Sequence, residues 1–358
     1  MKVLVDQLYT RAAKEAVPGL CCAPTYDPKY LEIIPAEVIE RDYGCGDPTE
    51  YVRAGDTVLD LGSGSGKLAF IIAQIVGSEG RVIGIDANAS MIELSRNAGP
   101  IVSLRIGCRN IEFKRAAIED MDLDLELVDR HLRANRVGTV EQSIQFERYK
   151  RSLRLEHPPI QNGSIDVALS NCVLNLVDGT DRPRVFAAIF RKLRPGGRLV
   201  ISDIVCDTTV PVDIAVDGQL DAECISGAFT VPELTALFGN AGFVATKIFK
   251  VGETWREING AAFRSMTFVG FKPLESSAQA EEVPVIYRGP WKCVEDDRGN
   301  LFVRGRRQKM SRDEVALFLS GPYGTDLLGD IAAHDTDPLR GEEAAACCPS
   351  PSLSKGCC

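Results

Sequence analysis

The stretch TVLDLGSGSGKLAFIIAQIVG, residues 57–77, narrows the possible folds more than any other. A short apolar run ends in a glycine-rich turn, and an apolar helix pattern follows, closed by Gly77. RVIGIDAN then predicts a second strand, with Ser90 as the N-cap of the helix SMIELSRNA. IEFKRAAIED, SIDVALSN and the end of PRVFAAIFRKLRPGGRLVISDIV predict three further strands, the last preceded by its own helix. Strands alternating with helices predict an α/β, doubly wound sheet, mostly parallel and covered on both faces. VATKIFKV and FRSMTFVGFK follow each other with no helix between them, which predicts an antiparallel hairpin at one edge.

A chain of 358 residues corresponds to about two domains. Residues 1–56 form a cysteine-containing N-terminal cover, and 57–272 the main α/β domain. Residues 121–160 interrupt it with a charged, helix-patterned insertion, expected to be a lid or surface subdomain. PLESSAQAEEVP, residues 273–284, reads as a linker to a small C-terminal unit at 285–330. Residues 331–358 read as a flexible cysteine-rich tail. The formal net charge of -9 argues against nucleic acid or an acidic membrane surface as partner. No run of about 18 apolar residues and no signal peptide is visible, so a cytoplasmic protein is expected. A monomer is expected as well.

The glycines fall at 62, 64 and 66, with Ser63 among them. A dinucleotide fingerprint requires its third glycine at 67, which is lysine, and the phosphate-binding P-loop pattern fails too. Asp60, two residues before the first glycine, is typical of S-adenosylmethionine-dependent methyltransferases. Gly62, Ser63, Gly64 and Gly66 would let the cofactor approach the backbone, and the next helix offers its free N–H groups. Asp86, ending the second strand, would accept both ribose hydroxyls. Ala87 and Asn88 would flank the adenine, with Met91 as an apolar contact and Glu119 or Asp120 near the adenine amino group.

Twelve cysteines in a reducing compartment point to metal, metalloid or redox chemistry more than to a disulfide scaffold. Three stand where the chain should approach the cofactor's methyl end: Cys45 in YGCG, Cys172 after the fourth strand and Cys224 in ECISGAF. Sites in such sheets lie outside the carboxyl ends of the strands. Three thiolates suit a soft, three-coordinate centre, and trivalent arsenic fits. Cys108 and Cys206 are expected to be buried small hydrophobes and Cys293 structural.

YGCG, LDLGSGSGK, GIDAN, SNCVLNLV, FRKLRPGGRLVISD and ECISGAF together resemble the arsenic(III) S-adenosylmethionine methyltransferases, over roughly residues 18–272. The resemblance implies the Rossmann-like class I methyltransferase fold. It implies Cys45, Cys172 and Cys224 as ligands of the arsenic substrate, and adds Asn171 to the cofactor residues. Cys21 or Cys22 would take the role of a further upstream cysteine in thiol–disulfide cycling. Arsenic would arrive as a thiol conjugate, with glutathione or thioredoxin as reductant. The products would serve arsenic detoxification or supply arsenosugar precursors. The pairs Cys347/Cys348 and Cys357/Cys358 would chelate and deliver arsenic, or belong to a tail of little catalytic importance.

Two other function classes compete. An arsenite-binding protein without turnover would not need an intact glycine loop with Asp86. A methyltransferase for a small organic nucleophile would want a general base near the methyl group rather than three thiols. A structural zinc site normally takes four ligands. No C-x-x-C pair is present, and His131, His157 and His334 lack ligand spacing to a cysteine.

Overall fold

Strand β1 (Thr57–Leu61) pairs in parallel with β2 (Arg81–Asp86) on one side and β4 (Ile165–Asn171) on the other. β3 (Ile111–Arg115) extends the sheet beyond β2, and β5 (Leu193–Cys206) lies beside β4, both parallel. Strands β6 (Val244–Ile258) and β7 (Ala261–Phe271) form the hairpin read from the sequence. Its second strand returns to pair antiparallel with β5, which leaves β6 at the edge. The seven-stranded order is β3-β2-β1-β4-β5-β7-β6, the expected class I methyltransferase sheet. The order reverses between β1 and β4, where a ligand crevice opens in such sheets. These coordinates are those of a computed structural model, which describes residues 3–17, 26–215, 217, 220, 223–274, 281–320 and 326–329.

Helix α1 (Val3–Ala12) belongs to the N-terminal segment and contacts α3 (Ala89–Ile106). Helix α2 (Lys67–Val76) follows the glycine loop and is apolar nearly all round. Such a helix must be buried, and Leu68 through Ala73 are. Every residue of β4 except Asn171 is buried too, as expected of a strand covered on both faces. The main core gathers Leu59, Leu61, Ile165 and Ala168 from the sheet with Phe186, Ile189 and Phe238 from its helices. Phe186 and Phe238 meet edge to face at 5.5 Å.

The insertion is two helices, α4 (Leu125–Ala134) and α5 (Val140–Glu156), joined through a small core of Leu123, Val128 and Leu153. Asp124 caps the first through the N–H groups of Glu126 and Leu127. Thr139 and Gln142 form a capping box on the second. Arg154 binds both carboxylate oxygens of Asp120, and Arg115 pairs with Asp129, so the insertion is tied to the end of β3.

The chain divides into two units, Met1–Pro273 and Leu274–Cys358. In the second, β8 (Glu282–Tyr287) pairs antiparallel with β11 (Arg307–Ser311) and β12 (Leu327–Gly329). β9 (Cys293–Glu295) and β10 (Leu301–Val303) make a hairpin. Its core is Val283, Val285, Tyr287, Phe302 and Met310. β8 starts within the stretch read as linker, because Val283 and Val285 alternate inward and bury themselves. Cys293 is half-buried on β9, and Cys108 is half-buried rather than buried. Cys21, Cys22, Cys347, Cys348, Cys357 and Cys358 lie outside the described residues. Among the described residues no helix is long and apolar enough to cross a membrane.

Candidate active site

The glycine loop builds one wall of a cavity at the carboxyl ends of β1, β2 and β4. The Ser63 N–H donates to the Ile85 carbonyl at 2.9 Å, which locks the loop to the end of β2. Asp86 accepts from the Gly64 N–H at 3.0 Å and the Asn88 N–H at 2.8 Å. Asp60, Gly62, Ser63, Gly64, Asp86, Ala87, Met91, Glu119 and Asn171 all line the cavity. Gly66 does not. A Cβ there would stand 2.9 Å from the Phe113 ring, and its φ is 90°, so this glycine serves the turn and the packing of α2. Asp120 is drawn away by Arg154, which leaves Glu119 as the cavity's acid at the end of β3. Val5, Tyr9 and Tyr43 also line the cavity, so the N-terminal segment is a wall and more than a cover. The Asn88 amide fixes it by donating to Asp6 and Thr10, each at 2.8 Å.

Beside the cavity lies a box of sulfur. Cys172 follows β4 at once, with φ of 63°, a left-handed conformation uncommon outside glycine. Its N–H still donates to the Ser202 carbonyl at 2.8 Å, and the residue lines the cavity. Asn171 clamps the segment that carries Cys45. Its amide oxygen accepts from the Cys45 N–H at 2.8 Å and the Gly46 N–H at 3.1 Å, and its amide nitrogen donates to the Gly46 carbonyl at 2.8 Å. The flanking glycines permit this approach. A Cβ on Gly44 would fall 2.5 Å from the Asn171 amide, and one on Gly46 2.7 Å from Ser202. The Cys45 sulfur, the Cys172 sulfur and a carboxylate oxygen of Asp203 all lie within 4.8 Å of one another. Cys224, with φ of 62°, is outside that group and points its thiol at the Cys172 carbonyl, 3.1 Å away. All three cysteines are buried in one apolar cluster with Ile204, Ile225, Phe263 and Cys206.

A family model described as a methyltransferase domain matches residues 53–242, and one described as a domain of unknown function matches 275–355. The arsenite methyltransferase of Aquipseudomonas alcaligenes is 30% identical over 282 residues, which cover 75% of this chain and 71% of that protein. The chain belongs to the arsenite methyltransferase family. The arsenite methyltransferase of Rattus norvegicus is 28% identical over 98% of this chain and 91% of its own length. That of Halobacterium salinarum is 34% identical, but the match spans only 44% of its length. The crystal structure of an arsenic(III) S-adenosylmethionine methyltransferase from Chlamydomonas reinhardtii shares the fold, with a TM-score of 0.59 at 23% identity, over 86% of this chain and 96% of that one.

The cavity of this arsenite methyltransferase family member suits S-adenosylmethionine by its chemistry. Burial pushes the Asp60 carboxyl up to about 8, with the charges of Asp42 and Asp86 adding to the rise. Burial lifts Asp86 to about 6, against the Asn88 and Gly64 N–H groups that draw it down. Among the described residues the buried Asp60 Oδ2 and Ser63 Oγ have no hydrogen-bond partner. A ligand with positive charge and several hydroxyls would satisfy both. It would also favour the ionised carboxylates. Affinity for S-adenosylmethionine is therefore expected to rise about tenfold from pH 6 to 8, as measured by titration calorimetry; a flat or falling profile would contradict this. Without ligand the sign reverses. These two groups favour folding most below the ordinary carboxyl value of 3.8, and lose that contribution as pH rises through about 6 and then about 8.

Two residues of the sulfur box went unread in the sequence. Asp203 is fully buried and accepts from the Leu174 N–H at 3.0 Å, the Asn175 N–H at 3.3 Å and the Ile204 N–H at 2.9 Å. Asn175, also fully buried, donates to the Ile204 carbonyl at 2.8 Å and the Cys224 carbonyl at 3.0 Å. Together they brace the turn after Cys172 to the turn that holds Cys224. The readable signal was a carboxylate inside the apolar run VISDIV, where burial is costly without partners. Asn175→Ala would leave two buried carbonyls short of a donor. We expect a loss of about 2 kcal/mol or more in denaturant unfolding, with arsenite turnover falling further than cofactor affinity. Unchanged stability would remove the brace from the account.

Proposed function

We propose that this protein transfers the methyl group of S-adenosylmethionine to trivalent arsenic held by Cys45, Cys172 and Cys224. The observation that carries the reading is the buried pair of sulfurs on Cys45 and Cys172, with Cys172 also lining the cofactor cavity. Arsenic arrives as a thiol conjugate. Each protein thiol displaces one carrier thiol, and its proton leaves with that carrier. Cys45 and Cys172 bind first, and Cys224 turns from the Cys172 carbonyl to close the third bond. The apolar cluster keeps water from replacing sulfur. When bound, S-adenosylmethionine supplies an electrophilic methyl group for the arsenic lone pair, with Asp86 holding its ribose and Asp60 facing its positive charge. The protein acts mainly by orientation.

Methyl transfer raises the formal oxidation state of arsenic by two. Two thiols return it to the trivalent state by forming a disulfide, and a thiol reductant, glutathione or thioredoxin, reopens that disulfide. Cys21 or Cys22 serves in this cycle. The cytoplasm provides such a reducing setting. One chain supplies both the cavity and the thiols, so we place the enzyme there as a monomer.

The test is turnover of the reduced protein with arsenite, S-adenosylmethionine and glutathione, with arsenic species separated by chromatography and read by mass detection. Methylated arsenic is expected. Its absence, with cofactor still bound, would sink the proposal. Each methyl replaces one sulfur partner, so Cys45→Ser is expected to depress the first methylation more than the second. Equal losses in both steps would overturn that order.

A further inference from the structure

The group that closes within 4.8 Å contains two sulfurs and a carboxylate, and it excludes Cys224. Soft trivalent arsenic prefers a third sulfur, whereas zinc accepts cysteine and carboxylate together. Zinc sites of the open kind take three protein ligands and leave the fourth position free. Ligand atoms around a tetrahedral zinc stand about 3.5–3.8 Å apart. The group, within 4.8 Å as it stands, needs to contract by about 1.3 Å at most to reach that spacing, within the reach of side-chain rotation.

We propose that Cys45, Cys172 and Asp203 form a zinc site that shares two sulfurs with the arsenic site and competes with it. The third ligand decides which guest is held. Asp203 completes the zinc set, and Cys224 completes the arsenic set. Asp203 is already oriented, since the N–H groups of Leu174, Asn175 and Ile204 fix its carboxylate. Such outer donors also offset the negative charge of two thiolates and a carboxylate around one dication. Two sulfurs in an apolar box disfavour magnesium and calcium, which want oxygen. Binding releases the two thiol protons and involves no change in oxidation state. Zinc binding itself stands without the arsenic reading; only the competition rests on it.

The test uses the full-length reduced protein with Cys21, Cys22, Cys347, Cys348, Cys357 and Cys358 changed to serine, which removes the other paired thiols. Cobalt(II) reports the ligands through its sulfur-to-metal charge-transfer bands, and zinc is measured by displacing it. One cobalt per chain with sulfur bands is expected, and Cys172→Ser should abolish them. Asp203→Asn should weaken zinc by about tenfold or more, and Asp203→Glu should recover most of the loss. Cys224→Ser should leave zinc affinity within about twofold while arsenic binding collapses. S-adenosylmethionine binding checks the fold of each variant; if Asp203→Asn fails that check, Cys224→Ser decides alone. In turnover of the unsubstituted protein, which keeps Cys21 and Cys22, zinc should raise the KM for arsenite and leave that for S-adenosylmethionine unchanged. No cobalt bands, or zinc lost in Cys224→Ser as fully as in Cys172→Ser, would overturn the site. If zinc binds in this pattern but arsenite is not methylated, the proposed function fails and the site stands.

Discussion

Cys172→Ser is expected to lower kcat/KM for arsenite methylation by about a hundredfold or more, with S-adenosylmethionine affinity unchanged. Cys172 is the cysteine that both lines the cofactor cavity and belongs to the buried sulfur pair. Serine offers a hard oxygen where the substrate requires soft sulfur. It must take the same left-handed φ of 63° as the cysteine, so the backbone penalty is unchanged and the loss reports on the atom. The measurement pairs arsenic speciation with a cofactor titration on the same sample. A variant that methylates arsenite within about tenfold of the parent would move the acceptor away from Cys172 and favour an organic nucleophile.

Asp86→Ala is expected to weaken S-adenosylmethionine and its demethylated product by about a hundredfold. Asp86 stands at the end of β2, where its oxygens accept from Gly64 and Asn88 and face the cavity. Removing it would take away the proposed acceptor for the ribose and the acceptor that ties down the Gly64 N–H of the glycine loop. Charge-assisted hydrogen bonds contribute about 1.5–3 kcal/mol each, and the loss of two corresponds to about two orders of magnitude in Kd. Calorimetry with S-adenosylhomocysteine reads this directly, and arsenite titration of the thiols should show no change. An affinity within about threefold of the parent would mean that another group holds the ribose.

Much of the architecture was legible because its signals are local. The alternation of apolar strands and helices fixed the parallel sheet, and the missing helix after Val251 marked the edge hairpin. The glycine loop and Asp86 could be placed because a strand end and a helix start are defined by neighbours in sequence. The site's remaining parts depend on contacts between distant segments. Nothing local shows that Asn171 clamps Cys45, 126 residues away, or that Asn88 anchors α1. Asp203 and Asn175 stand in apolar runs, and only the fold pairs them with loop N–H and carbonyl groups. The direction of the Cys224 thiol is a side-chain rotation, which no sequence pattern encodes.

Asn171 and Cys172 are adjacent, and both face the cofactor cavity; one clamps Cys45 and the other carries a thiol of the sulfur pair. In the proposed function, donor and acceptor would therefore be registered by a single peptide link of about 3.8 Å between Cα atoms. That link acts as a ruler at the end of the buried strand β4. The two insertion helices, which carry none of the three cysteines, stand apart from it. Change in the insertion could alter which arsenicals enter, while the spacing set by Asn171 and Cys172 stays the same.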